Sequence, residues 1–201
     1  MKIEHILPAD IERRSMEIIE AELGPIQLPP DEKDIIKRVV HTSADFDYVR
    51  NLRFSEGAVG KALEALQKGC TIVTDTNMAC MGISQPGLTK LGCHKVCFMA
   101  DDDVAAAARE KGTTRAQASM DKAAGLTGPL IIAVGNAPTA LLRLKELIEA
   151  GQIAPALIIG VPVGFVNVEY AKKSLWKPAF LTSSPKAARG EAPLPLLFAM
   201  P

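Results

Sequence analysis

Hydrophobic and polar positions follow two periods along the chain, one typical of helices and one typical of strands. In the helical segments apolar residues recur every three or four positions, and a glycine lies at or near the end of most of them. We predict helices at 8–23, 29–41, 56–69, 101–112, 113–126, 137–151 and 167–175. Ser55 directly precedes the third segment and is its predicted cap.

Short apolar runs rich in β-branched residues predict five strands between these helices. The runs occupy 71–75, 94–100, 128–136, 155–164 and 178–182. Strands that alternate with helices in this way form a parallel sheet with helices on both faces. Ligands of such sheets bind beyond the carboxyl ends of the strands. The residues at 75–77, 135–139 and 160–164 are therefore the first candidates for function.

The composition limits the classes of partner. The 201 residues are 48% hydrophobic, enough for one domain over 1–201, and 23 basic side chains balance 23 acidic ones. The chain has no excess of basic residues that would indicate binding to nucleic acid or to an anionic membrane surface. The first residues become charged before an apolar leader could form, and no run approaches the ~20 apolar residues that span a bilayer. We expect a soluble, cytoplasmic protein that binds neither nucleic acid nor membranes.

The four cysteines raise the question of a metal site. Cys93, His94 and Cys97 are close in sequence, but their segment alternates like a strand. That alternation would point His94 and Cys97 to opposite faces. No second pair with metal-ligand spacing follows. Cytosolic thiols are usually reduced, so we interpret the cysteines, including Cys70 and Cys80, as buried thiols and expect no metal.

Two glycine-containing motifs follow predicted strands. GNAPTALLR (135–143) leads into a helix, and its free amides could hold a phosphate or carboxylate. Asn136 or Thr139 could cap that helix, and a capped turn without a ligand explains the motif equally well. It is neither a P-loop nor a dinucleotide fingerprint, so it does not indicate a nucleotide. GVPVGF (160–165) permits close approach of a flat ligand, although a structural turn would need the same glycines.

Single polar residues also admit two interpretations. His41 lies where a predicted helix ends, and histidine is suited to proton transfer near neutral pH. A helix C-terminus also favours histidine for its interaction with the dipole alone. Arg115 near a helix start could pair with a ligand carboxylate or simply be a surface residue. Arg14 and Ser15 could belong to a solvated helix face.

Taken together, these segments resemble the precorrin-8X methylmutases, also called cobalt-precorrin-8 methylmutases, of cobalamin biosynthesis. GNAPTAL followed by GVPVGFV is the most specific part of the match. The matching motifs run in order from about residue 8 to 182: IERRS (11–15), VVH (39–41), RFS (53–55), TDTNMACMGI (74–83), TTRAQASM (113–120), AVGNAPTALLRL (133–144) and GVPVGFV (160–166).

The resemblance implies a fold, a reaction and an assembly. The fold would be a flavodoxin-like three-layer sandwich with a mainly parallel five-stranded sheet. The protein would be an isomerase and a homodimer without a cofactor. Its substrate would be a corrinoid tetrapyrrole whose rim carries acetate and propionate carboxylates. A methyl group would migrate from C-11 to C-12 of ring C and give hydrogenobyrinic acid, or cobyrinic acid if cobalt is present.

The resemblance also implies roles for individual residues. The catalytic histidine of the family falls on His41, which would hydrogen-bond or protonate the ring-C nitrogen. A serine and an arginine that contact the substrate fall on Ser15 and Arg115. Within the same motifs we expect further substrate contacts from Arg14, Thr76, Asn136, Thr139 and Gly164.

The last residues depart from the family pattern. The resemblance predicts a final strand, a glycine-rich loop and an alanine-rich helix, whereas the chain ends in SSPKAARGEAPLPLLFAMP (183–201). The codons permitted by these residues also allow, in another frame, a KGRxGGS loop, an alanine-rich run and a closing Asn-Ala. We hypothesise a reading-frame slip near Ser184. Codons in the source DNA that cannot spell this alternative would refute it.

Two other functions use the same features. A binding module of this fold would hold a corrinoid or another polyanion without converting it. A flavodoxin-like phosphate or nucleotide protein would use GNAPTA as its anion loop and would co-purify with flavin or nucleotide. Aromatic residues make up 4% of the chain, which leaves few candidates for stacking on a flavin.

Overall fold

The computed structural model describes residues 6–162, 164, 166–174 and 180–183. Within them a six-stranded sheet has the order β1-β6-β5-β4-β2-β3. All neighbouring strands are parallel except β1, which pairs antiparallel with β6. The strands are β1 (Leu52–Phe54), β2 (Thr71–Thr74), β3 (His94–Val96), β4 (Leu130–Val134), β5 (Leu157–Gly160) and β6 (Phe180–Ser183).

The helices fall into two groups that cover opposite faces of this sheet. A 3-10 turn at Pro8–Asp10 leads into the first group, which is α1 (Ile11–Leu23), α2 (Pro30–Ser43), α3 (Tyr48–Asn51), α4 (Ala58–Gln67), α5 (Asn77–Gly82) and α6 (Gln85–Leu91). The second group is α7 (Asp102–Glu110), α8 (Arg115–Ala123), α9 (Pro138–Glu149) and α10 (Val168–Ser174). Both layers follow from the alternation of side chains along the strands.

Strand β4 shows how the sequence builds two cores on one sheet. All five of its residues are buried. Ile131 and Ala133 pack into the core formed with α1 to α4 and α6, whereas Leu130, Ile132 and Val134 pack into the core formed with α7 to α10. Successive strand residues point to opposite faces, so an unbroken apolar run is required where both faces are covered. The predicted three-layer arrangement with a mainly parallel sheet is confirmed.

The predicted number of five strands is wrong, because the sheet has a sixth strand, β1. Its three residues are too few to show a period, and β6, the strand with which it pairs among the described residues, is far away in sequence. The short helices α3, α5 and α6 were not predicted either, since four to seven residues contain at most two helical turns. The strands within 94–100, 128–136 and 155–164 are shorter than predicted.

Ser55 does not cap α4 as predicted. The cap position is Gly57, in a left-handed conformation with φ 70° and without a side-chain cap hydrogen bond. The Ser55 hydroxyl instead accepts a hydrogen bond from the Phe180 backbone N–H at 2.7 Å, and the Ser55 N–H donates to the Phe180 carbonyl at 2.8 Å. Ser55 therefore extends the contact between β1 and β6. The tail at 184–201, to which the reading-frame hypothesis applies, lies outside the described residues.

Gly160 is required by close packing at the end of β5. An added Cβ would lie 2.6 Å from Cε2 and 2.7 Å from Cζ of the fully buried Phe180 ring. We expect Gly160→Ala to lower the free energy of unfolding by about 1–3 kcal/mol, because a packed aromatic ring must move. Urea denaturation followed by circular dichroism measures this change.

Gly60 provides the matched control, because a Cβ there meets nothing within 4 Å and the residue lies inside α4. Gly60→Ala should raise the free energy of unfolding by about 0.4–1 kcal/mol, because alanine reduces the conformational entropy of the unfolded chain. An unchanged stability of Gly160→Ala would mean that the Phe180 ring moves aside without cost.

Candidate active site

Helices α1 and α2 form an antiparallel hairpin that is fastened by ion pairs. Glu12, early in α1, accepts a hydrogen bond at 2.6 Å from Arg38, which is late in α2. Glu20, late in α1, pairs with Lys33 in the first turn of α2 and, at 2.8 Å, with Lys37 near the middle of that helix. The pairs fix the register of the two helices and therefore of the side chains between them.

A cavity of about 240 Å³ beside this hairpin brings Ser15 and His41 together. The rest of its lining consists of apolar side chains and the carboxylate of Glu22. The apolar residues are Ile18, Ile19, Val40, Ala44 and Phe46. His41 lies in the last turn of α2, which ends where Ala44 adopts a left-handed conformation with φ 53°. Two residues that are 26 positions apart in sequence thus face one space, although no short motif connects them.

Polar groups around this cavity leave its two candidate residues accessible. The Ser15 hydroxyl donates to the Ile11 carbonyl at 2.9 Å, so its oxygen can still accept a hydrogen bond. Among the described residues, none forms a hydrogen bond with the His41 imidazole. The pKa of Glu12 is lowered, chiefly by the hydrogen bond and charge of Arg38 and to a smaller extent by His41.

Asp75 organises a second group of candidates at the carboxyl edge of the sheet. It follows β2, its exposed fraction is 1%, and both carboxylate oxygens accept backbone hydrogen bonds from the loop after β4. The donors are the N–H groups of Gly135 at 2.9 Å, Asn136 at 2.8 Å and Ala137 at 2.8 Å. The amides considered as a ligand anion site therefore already bind an anion, which is a side chain of the protein.

The charge of Asp75 is subject to two opposing effects. Burial raises the pKa of this carboxyl, and the hydrogen bonds from Gly135, Ala137 and Asn136 oppose that rise. All three loop donors are N–H groups, which an ionised carboxylate accepts on both oxygens. Sequence analysis named the position but gave it no role. The sequence feature that could have indicated this role is an aspartate directly after an apolar strand, β2, whose neighbour in the sheet, β4, is followed by a loop with free amides.

Three other predicted contacts lie at or beside helix caps: Thr76, Thr139 and Arg115. The Thr76 hydroxyl caps α5 by accepting from the Ala79 N–H at 3.1 Å. The Thr139 hydroxyl is 3.1 Å from that of Thr114, which caps α8 in a capping box. Arg115 is the first residue of α8 and is exposed. Thr114 therefore links two of the predicted substrate contacts.

The other predicted contacts are more dispersed. Asn136 is exposed, and the cap position of α9 is Ala137, so neither Asn136 nor Thr139 caps that helix. Gly164 has φ 122°, which requires glycine, while residues 163 and 165 of the same motif lie outside the described residues. Arg14 lies 3.6 Å from Glu17 on its own helix and does not line the Ser15–His41 cavity.

Cys70 and Cys93 are buried thiols as predicted, whereas Cys80 and Cys97 are only half-buried. The sulfur atoms of Cys70 and Cys93 are 3.8 Å apart, and burial is the main cause that raises the pKa of the Cys70 thiol to about 12. His94 is exposed, whereas its neighbour Cys93 is buried. Within the described ranges no group of three or more His, Cys, Asp or Glu side chains could hold a metal ion. In the same ranges no helix is long and apolar enough to cross a membrane.

Comparison with known proteins identifies the family. A family model described as precorrin-8X methylmutase matches residues 10–191. The chain belongs to the precorrin-8X methylmutase family. It is therefore an isomerase, a methylmutase of cobalamin biosynthesis, and the resemblance noted in its motifs is confirmed.

Individual methylmutases support this assignment over most of the chain. The cobalt-precorrin-8 methylmutase of Leptospira interrogans is 42% identical over 173 residues, which cover 85% of this chain and 79% of that protein. The precorrin-8X methylmutase of Pseudomonas aeruginosa is 36% identical over 165 residues, covering 82% and 79%. The crystal structure of the Thermus thermophilus precorrin-8X methylmutase superimposes with a TM-score of 0.82 at 37% identity and covers 95% of this chain and 91% of that one.

The hairpin that carries the two cavity residues of this methylmutase should loosen in acid. Hydrogen bonds from two lysines lower the pKa of the Glu20 carboxyl from its ordinary value of 4.5 to about 2, and the bond from Lys33 has a larger effect than the bond from Lys37. This carboxylate therefore stabilises the hairpin above pH 4.5, and the stabilisation is lost as the pH falls toward 2. We expect amide protection in α1 to decrease over this interval more than protection in β4, as measured by hydrogen exchange.

Glu20→Gln provides the control, because it keeps the shape of the side chain and cannot titrate. Its α1 protection should already be reduced at pH 6 and should depend less on pH below 4.5. The same acid response in the parent and in Glu20→Gln would show that other groups hold α1 against α2.

Proposed function

We propose that the chain moves a methyl group from C-11 to C-12 of ring C in precorrin-8X or its cobalt form. His41 would act as proton donor and acceptor at the ring-C nitrogen, so that any proton given during the shift is taken back and the product remains an isomer of the substrate. The observation that carries this proposal is the cavity in which α1 and α2 bring Ser15 and His41 together. The proposed step needs no nucleophile from the protein and no cofactor, because the methyl group stays within one molecule.

The chemistry of a methyl shift is consistent with this pair of side chains. Migration within a conjugated ring requires a bias in the electron distribution and a means of trapping the product tautomer. An imidazole that shares or gives a proton at the ring nitrogen supplies both, and such general acid catalysis typically contributes about 10²–10⁴-fold. The Ser15 hydroxyl can orient the substrate by accepting or relaying a hydrogen bond within the same cavity.

A neighbouring cavity adds space that a large flat substrate would need. A second cavity of about 330 Å³ shares Glu22 and Phe46 with the first and continues to Arg50. Pockets for ligands of ordinary drug size have volumes of about 300–1,000 Å³, so one cavity of this size is small for a macrocycle. We propose that Phe46 packs against one edge of the ring system, which spans both cavities.

Recognition of the carboxylate rim is assigned to the carboxyl edge of the sheet. Arg115 is exposed at the start of α8, and among the described residues no carboxylate pairs with it. Its guanidinium can therefore form a bidentate pair with an acetate or propionate group. Thr76, Asn136 and Thr139 would add hydrogen bonds, and Gly164 would allow the ring to approach the backbone.

We further propose a homodimer that works in the cytoplasm. Support for a dimer comes from apolar side chains that α1 leaves exposed, Ile11 at 53% and Ile18 at 47%. A second copy that covered this helix would also lie beside the Ser15–His41 cavity, because Ile18 lines that cavity. Analytical ultracentrifugation of the purified protein tests the assembly.

The atypical tail at 183–201 remains part of the proposal. A reading-frame slip near Ser184 would replace the glycine-rich loop and the last helix expected from the family. Activity of the chain as it stands would show that these residues are tolerated, whereas sequencing of the source DNA decides their origin.

His41→Ala is the central test of the proposed reaction. We expect its rate of conversion of precorrin-8X to fall by about 10²–10⁴-fold, because the proton donor is lost. The conjugation of the ring changes when the methyl group moves, so an absorbance time course reports turnover. His94→Ala is the matched control, since His94 is exposed on β3 and lies outside the proposed site. Equal rates for the parent and His41→Ala would refute the role of His41.

Arg115→Ala tests recognition of the substrate rim. We expect KM to rise by about 10–100-fold with a smaller change in kcat, because a hydrogen bond between charged groups typically contributes about 1.5–3 kcal/mol. Arg109→Ala, an exposed arginine in the last turn of α7, is the control for loss of surface charge. An unchanged KM for Arg115→Ala would assign the rim carboxylates to other residues.

A further inference from the structure

Asp75 is an unusual group for the interior of a sheet edge. Within the described residues it has no cationic partner, yet its exposed fraction is 1%. Its compensation comes from three backbone N–H groups that converge on two oxygens. A carboxylate suits this arrangement because both of its oxygens only accept hydrogen bonds. An asparagine would turn an NH₂ group toward at least one of the same donors.

The loop that Asp75 holds carries candidate substrate contacts. Asn136 lies between the other two donors, so the hydrogen bonds fix the direction in which its exposed side chain leaves the backbone. Helix α9 begins directly after the loop and carries Thr139 in its first turn. Thr139 in turn contacts Thr114, which precedes Arg115. One buried carboxylate therefore determines the positions of groups on two elements of the edge.

We propose that Asp75 is a positioning residue for the methylmutase reaction, which holds the 135–137 loop so that Asn136 and Thr139 can bind the substrate rim. The inference rests on the proposed function, because it assigns these side chains to the corrinoid. It also excludes one mode of recognition. With their N–H groups donated to Asp75, the amides of this loop bind no substrate carboxylate, and the rim must be held by side chains.

The effect of Asp75 should appear in substrate binding rather than in the chemical step. Asp75→Asn keeps the size of the side chain and removes the charge. We expect its KM for precorrin-8X to rise at least tenfold while kcat changes less than threefold, because His41 lies on the α1–α2 hairpin and not on the loop. Both constants are measured by absorbance at a temperature where circular dichroism shows the variant to be folded.

A double-mutant cycle separates positioning from general stability. If Asp75 acts through Asn136, then Asp75→Asn should raise KM much less in an Asn136→Ala background than in the parent. Leu147→Ala is the control for stability, because Leu147 is buried on α9 about three turns away from the loop. It should lower the melting temperature and leave KM within twofold of the parent.

Ala137→Pro provides a second variant in case Asp75→Asn does not fold. It removes one of the two donors to the Oδ2 atom, and the φ of −98° at Ala137 must shift to reach the value of about −65° that proline imposes. It should raise KM in the same direction by a smaller factor.

The outcomes distinguish the inference from the proposed function. A parent that converts precorrin-8X together with variants whose KM stays within twofold would overturn the inference alone. Effects of Asp75→Asn that are additive with both Asn136→Ala and Thr139→Ala would also overturn it. A parent that neither binds nor converts the corrinoid would overturn the proposed function and this inference with it.

Discussion

The hydrogen bonds between the Asp75 carboxylate and the 135–137 loop are the constraint on which the carboxyl edge of the sheet depends. Strands β2 and β4 are neighbours and pair up to Thr74 and Ala133. Beyond these residues each segment leaves the sheet and leads into a helix. Loop amides at such a point must find acceptors when they are buried. The carboxylate supplies them all, so the loop, the start of α9 and the cap of α8 are positioned together.

The candidate site is divided between two structural supports of different kinds. Ser15 and His41 belong to a helical hairpin fastened by solvent-exposed ion pairs, which contribute little stability individually. Arg115, Asn136 and Thr139 belong to the sheet edge, whose key interaction is buried and unscreened. Under the proposed function, proton transfer and recognition of the rim therefore belong to separate elements of the structure.

Sequence patterns predicted the elements whose periods are long enough to detect. Strand β4 and helix α9 are examples, because five buried residues and three helical turns leave clear signals. Strand β1 and the hydrogen bonds of Ser55 could not be predicted, since they depend on a segment 125 residues away. Motif resemblance placed Ser15 and His41 in one site, which no local rule would do. Asp75 was predicted as a candidate position, but its role was not, because its partners are backbone amides, which leave no pattern of side chains.

The position of β6 between β1 and β5 has a consequence for synthesis of the protein. Strand β1 is made early, yet in the sheet its neighbour is the last strand of the described chain. On the ribosome β1 must therefore stay unpaired until most of the polypeptide has emerged, and pairings across such long separations form slowly. During that interval the edge of β5 that later pairs with β6 is unpaired, and the β6 segment of another chain could pair with it.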